Sequence, residues 1–292
     1  MRVHPATIVL LLLALVTTAA AQERPLPDFD TFVAKVKVRL QTDADLQTGY
    51  AFTERRVEQK LDGRGNVTSE SVKLFEVYPG LPGEEPYRRL IEENGKPVPA
   101  ARLERDDRKR QDKVEDYARE QTERTDADRR KAAREYEKWV KERAEAIEDI
   151  FNVFDVRMLH REAIDGHDTI VFSLEPRPGV KPGTDSGKMM RHFRTRAWIS
   201  ESDFELVRVE VEAVDTVSFG LGLLARLHEG ATATYQRRKV NGEAWLPEKV
   251  TYRGSGRVLL VRRLRLGGVS EFSNYRKFGV ETSSEIAEPA EP

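Results

Sequence analysis

The chain has 292 residues, enough for two small domains or one large all-β or mixed domain. Its 49 Lys and Arg nearly cancel its 50 Asp and Glu, which excludes the standing basic excess that a general nucleic-acid binder uses to displace counterions. Cysteine is absent, so disulfides, thiolate metal sites, nucleophilic thiols and a lipid-modified N-terminal cysteine are excluded together. The five histidines (His4, His160, His167, His192, His228) include no pair at helical ligand spacing, leaving no His-rich zinc site.

The first residues look like an address. Met1-Arg2-Val3-His4 is a short positive start, and Ile8 to Val16 is an almost unbroken apolar run, too short to span a bilayer. Ala19-Ala20-Ala21 before Gln22 is a small-residue cleavage signal. Together they predict a signal peptide over residues 1–21, cleavage near Ala21 and an exported, periplasmic product with no stable membrane span.

From Pro27 to about Leu46 the spacing predicts a helix, with Phe32, Val33, Val36, Val38 and Leu40 roughly on one face and Asp28 or Asp30 as cap. Four Asx-Gly pairs then mark β-hairpins, because both central positions of the favoured two-residue turns need positive φ. Asp62-Gly63 separates Tyr50–Leu61 from Val67–Tyr78, and Asn94-Gly95 turns a shorter pair. Asp165-Gly166 separates Val156–Ile164 from His167–Leu174, and Asn241-Gly242 separates Ala231–Val240 from Glu243–Tyr252. Leu206–Val214 alternates, with Val207, Val209, Val211 and Ala213 on one face and Arg208, Glu210 and Glu212 on the other.

Residues 99–151 break this pattern. Residues 101–150 hold 15 Lys/Arg and 16 Asp/Glu and no Gly, which predicts solvated helix with a net charge near zero. Thr125-Asp126-Ala127-Asp128 resembles a capping box and divides the segment into two helices. The second carries a stripe of Tyr136, Trp139, Val140, Ala144, Ile147 and Ile150; Tyr136, Trp139, Val140 and Ile147 are candidate lid residues. Arg177–Lys188, rich in Pro and Gly, reads as a flexible loop, and residues 279–292 as a disordered acidic tail.

Hydrolytic and phosphate-binding motifs are missing: there is no G-x-S-x-G, H-E-x-x-H, S-x-x-K or Walker A sequence. Gly254-Ser255-Gly256 lies inside a strand pattern and predicts a bulge or bend. His192 near Asp185 and Ser186 has no geometric warrant as a triad. No catalytic residue, metal site or cofactor is expected, and no enzyme activity. One connection is out of character: residues 217–227 hold Phe219, Leu221, Leu223, Leu224 and Leu227 with two glycines where a polar link is usual. These five are candidate ligand-mouth residues. Met189-Met190 is a weaker hint of the same kind. Arg253, Arg257, Arg262, Arg263 and Arg265 thread the last strands, as a solvated face or a rim for anionic head groups.

The order of elements, with Tyr50-Ala51-Phe52-Thr53-Glu54 opening the first strand, resembles the periplasmic lipoprotein-carrier superfamily of the LolA/LolB type. Arg196-Ala197-Trp198-Ile199-Ser200 followed by Leu206-Val207-Arg208-Val209-Glu210 is similar to the Trp-Ile-Asp hairpin of its outer membrane lipoprotein-sorting protein-like branch. Asn241-Gly242-Glu243-Ala244-Trp245-Leu246-Pro247 is similar to that branch's Trp-Leu-Pro strand. The resemblance implies an α+β, mainly antiparallel fold over residues 22–278: an unclosed curved barrel covered by helices, with the charged helical segment as an insertion. It also implies an apolar cavity for lipid or lipoprotein acyl chains and a possible role as a carrier to the outer membrane. The alternative is an envelope protein-binding or stress-sensing module that uses the fold without lipid. Val77-Tyr78-Pro79-Gly80 lacks the arginine with which such carriers hold their lid, so no ligand residue transfers from the family.

Overall fold

The computed structural model describes residues 24–219, 225–258 and 262–278. Helix α1 (Phe29–Gln47) begins at Asp28, whose carboxylate accepts from the backbone N–H and the hydroxyl of Thr31. Phe32, Val33 and Val36 are buried, each worth roughly 2 kcal/mol of apolar burial. Val38 is the exception to the predicted face. It lies two residues from Val36, about 200° around the helix, and is 61% exposed.

Four strands follow, β1 (Tyr50–Leu61), β2 (Val67–Tyr78), β3 (Tyr87–Glu93) and β4 (Lys96–Pro97), and then two long helices, α2 (Ala100–Glu123) and α3 (Asp126–Val153). The predicted capping box at Thr125 and Asp128 is present in both directions. Next come β5 (Phe154–Ile164), β6 (His167–Pro176), a short helix α4 (Asp185–Met190), β7 (Phe193–Ser200) and β8 (Leu206–Ala213). The chain ends with β9 (Val217–Phe219), β10 (Ala225–Leu227), β11 (Thr232–Val240), β12 (Ala244–Val258) and β13 (Arg262–Lys277).

The strands form one antiparallel sheet in the order β4-β3-β2-β1-β13-β12-β11-β8-β7-β6-β5, with the β9–β10 hairpin attached to β12. Its outer strands β4 and β5 do not pair, so the barrel is unclosed, as expected. Within the sheet, the N-terminal meander pairs with the rest through the β1–β13 ladder. Buried Glu54 on β1 fastens that seam, accepting from Arg56 Nε at 2.9 Å, Ser270 Oγ of β13 at 3.0 Å and Arg88 Nε of β3 at 3.2 Å.

Three of the four Asx-Gly pairs turn as predicted, with positive φ at Asn94-Gly95, Asp165-Gly166 and Asn241-Gly242. The fourth differs. Between β1 and β2 it is Gly65 that takes positive φ, while the Asp62 carboxylate accepts the N–H groups of Arg64 and Asn66 and makes a longer loop. The stretch predicted as a flexible loop at Arg177–Lys188 contains the start of α4, because Thr184 caps it through the N–H of Gly187.

Both faces of the sheet's second half are packed. On one, Phe32, Val33 and Val36 of α1 meet Ile170, Phe172 and Ile199. On the other, Ile164, Val171, Trp198, Val207 and Trp245 form a second cluster. Val207 therefore leaves the face predicted for it. A register shift sets Trp198 opposite Arg208 and Ile199 opposite Leu206, so the extra residue, Val207, turns to the Trp198 side. The Trp residues that carry the family resemblance thus belong to the core outside the helix-covered face.

Gly254 and Gly256 produce no bulge; the β12–β13 ladder runs through them in register. They allow close packing instead, since a Cβ on Gly256 would lie 2.3 Å from the carbonyl oxygen of Arg226 on β10.

Candidate ligand-binding site

The covering helices do not fill the face they cover. Between them and β5–β8 lies a cleft of about 430 Å³, within the ~300–1,000 Å³ usual for small-molecule sites. Val33, Val36 and Leu40 of α1 form one wall, Ile150 and Phe151 of α3 a second, and Met189 and Met190 of α4 a third. The floor is Phe172, Ala197, Ile199, Val209 and Val211, with Thr195 the one polar side chain among the lining residues. The floor is apolar because Thr195 and Ala197 lie opposite Val211 and Val209 in the β7–β8 ladder, so alternate positions of both strands share this face.

Phe193 and Val211 also line a second cleft of about 360 Å³, which runs on over β11, β12 and β13 beside Leu227, Leu264 and Leu266. The two form one elongated apolar surface. An unbranched chain fits such a shape, and each methylene buried there gains about 0.8 kcal/mol. The second cleft's lining also includes Thr232 and Ser255, and Ser255 Oγ lies 3.3 Å from His228 Nδ1. His192, near the junction, bonds through Nδ1 to Asp215 at 2.6 Å, not to Asp185 or Ser186. Among the described residues no group of three or more His, Asp or Glu is placed to share a metal ion, and no helix is long and apolar enough to cross a membrane.

The Met-bearing wall is held by one buried carboxylate. Asp149 on α3 accepts from Asn152 Nδ2 at 3.0 Å, Gly183 N at 3.1 Å, and Thr184 N and Oγ1 at 2.8 Å each. The Asn152 amide first, then the Gly183 and Thr184 donors, hold its carboxyl at about 2, against the burial that would raise it. Because the folded value is depressed, this anchor is fully present above about pH 4 and is lost as pH falls toward 2. Asp149→Asn at neutral pH should imitate that loss. With roughly 2 kcal/mol of local stability removed, the Thr184 and Gly187 amides should exchange about 30-fold faster. Equal protection in both proteins would show that α4 is held by other contacts.

Of the predicted mouth residues, Leu227 lines the second cleft. Leu221, Leu223 and Leu224 lie outside the described residues, as does the side chain of Phe219; so do the predicted signal peptide and the acidic tail. Of the predicted lid residues, Ile147 is buried, whereas Tyr136, Trp139 and Val140 are exposed and the two rings stack with centroids 5.9 Å apart. The wall of the cleft is instead made by the following turn, Ile150 and Phe151. Missing from the predicted site are α1, the β7–β8 floor and Phe193. The Met pair was the one local signal that pointed to it.

No protein-family model matches the chain, and no curated protein matches it. Among solved structures the fold is similar to a LolA superfamily protein from Nitrosomonas europaea, at 10% identity over 88% of this chain and 97% of that one, with a TM-score of 0.29. It is also similar to an outer membrane lipoprotein-sorting protein domain from Vibrio parahaemolyticus, at 10% identity over 86% and 94%, with a TM-score of 0.35. A third similar structure is MucB in complex with periplasmic MucA, at 7% identity over 87% and 100%, with a TM-score of 0.24.

Proposed function

We propose that the protein is an exported binding protein that takes the acyl chains of a lipid or lipoprotein into the elongated cleft and keeps them from water. One observation carries this reading: a cleft walled by three helices and floored by sheet, with Thr195 its one polar side chain, whose lining continues past Phe193 into a second apolar cleft. The pinned α4 wall is a part that can open, and its two Met side chains suit acyl chains of varied length and kink. A second reading, docking of an envelope protein, is favoured by the exposed Tyr136–Trp139 stack on α3.

Native mass spectrometry of the protein purified from its own envelope should show bound species with acyl-lipid masses. After delipidation, the protein should take up an environment-sensitive fluorescent fatty acid. A bare mass together with no uptake by delipidated protein would remove the carrier reading and leave the protein-docking one.

A further inference from the structure

The second cleft has an outer side. By strand alternation the side chains on β10, β12 and β13 that point away from Leu227, Leu264 and Leu266 are arginines, arranged as a block, of which Arg226, Arg253 and Arg257 also border the cleft. Arg226 lies directly opposite Arg257, and Arg257 directly opposite Arg263. Arg253 precedes Arg257 by two strand repeats, and Arg265 follows Arg263 by one opposite Ser255, so all five share a face. Arg226, Arg253, Arg263 and Arg265 are exposed and Arg257 is half-buried.

Among the described residues none of the five pairs with a carboxylate; Arg253 donates instead to the Gly65 carbonyl. Arg257 Nε is buried without an acceptor. The neighbouring surface is different. Arg55 and Lys249 share Glu271, and Arg194 pairs with Glu175 and Glu212. Like charges directly opposite across a ladder destabilise a sheet. A chain with a net charge of −1 thus places five unneutralised cations side by side on one patch.

We propose that this arginine face docks the protein on an anionic phospholipid bilayer. Three adjacent strands and four residues of strand length give a patch about 10 Å by 13 Å, broader than one phosphate. Its position favours a bilayer over a nucleic acid. The opposite face of the same strands carries Leu227, Leu264 and half-exposed Leu266 of the cleft, so docking brings the end of an apolar surface to the lipid boundary. A nucleic acid gains nothing from that neighbour. Docking extends the acyl-binding proposal: charge points to an anionic surface, and the choice of a bilayer rests on that cleft reading.

The test is co-flotation of the full chain with vesicles of phosphatidylcholine alone or mixed with phosphatidylglycerol. The wild-type protein should float with the mixed vesicles only, less so as salt rises. The triple variant Arg226→Gln, Arg257→Gln and Arg263→Gln should bind on the order of 100-fold more weakly, at about fivefold per arginine. A matched control, Arg119→Gln with Arg129→Gln and Arg157→Gln, removes exposed arginines elsewhere and should bind as wild type. Binding that survives in the triple variant, equal loss in the control, equal binding to phosphatidylcholine, or no binding would each overturn docking. So would equally tight, patch-dependent binding of a DNA duplex, which would make the face a general polyanion site. Should the triple variant fail to fold, Arg263→Gln alone must show the fivefold loss. Arg263→Gln alone, at a residue outside the cleft lining, should still take up the fluorescent fatty acid, so failure of docking and failure of the cleft reading separate.

Discussion

Ala197→Trp should weaken acyl-chain binding about 200-fold and leave the fold intact. Ala197 is half-buried in the middle of β7 with its side chain on the floor of the cleft, and strands accept Trp readily. The indole would be directed into the space of the cleft, beside the core cluster against which Ala197 packs. Displacing about four methylenes at about 0.8 kcal/mol each weakens binding about 200-fold. The fluorescent fatty acid gives the affinity and a melting curve on the same sample gives the stability. A variant that melts like wild type and binds equally well would place the ligand elsewhere. A variant that melts far lower would show that the cleft closes in the native protein. Vesicle docking should be unaffected.

The largest effect on stability is expected at Arg237, which is 1% exposed. Strand β11 pairs with β8 only from Thr232 to Gln236, so the bulged end of β8, paired with β7 on one side, has no strand partner on the β11 side. Arg237 fills that gap with its side chain: Nη1 donates to the Leu206 carbonyl at 3.0 Å, and Nε donates to the Trp245 carbonyl at 3.1 Å. The Glu205 carboxylate lies 3.7 Å away, itself buried. Arg237→Ala leaves Glu205 buried without that cation and should cost about 3–5 kcal/mol, a fall of roughly 10 °C in Tm. Arg237→Met with Glu205→Leu should recover part of this, because no charge then remains buried, although the two carbonyls still lose their donor. A double variant as unstable as Arg237→Ala would mean that the carbonyl bonds, not the charge, dominate.

Local chemistry made much of the fold legible. Strands β1 and β2 match their predicted limits because both ends are set by turn residues a few positions away, and the Thr125 capping box is likewise a matter of three neighbours. Where two residues' spacing decided the outcome, the sequence was also a sound guide except at Val38 and Val207, where a helical angle and a bulge override apolar character. The cleft was not legible in the same way. It is assembled from α1, α3, α4 and β5–β8, and only the folded sheet brings Val36 to Met190. Arg237 sits in the run Gln236-Arg237-Arg238-Lys239, which has the composition of a solvated strand; its burial follows from a missing strand partner on β8. The five-arginine block required register, since only pairing shows that Arg226, Arg257 and Arg263 stand in a row.

The β1–β13 seam has a consequence for the order of events in making this protein. Glu54 and Ser270, joined across it, are 216 residues apart in sequence. Strand β1 has as its permanent neighbour a strand made more than two hundred residues later, so the β1–β4 meander is a sheet fragment with an open flank until β13 has been made. Contacts of such long range close slowly. A chain that completes its fold late stays threadable for longer, which fits the export proposed above.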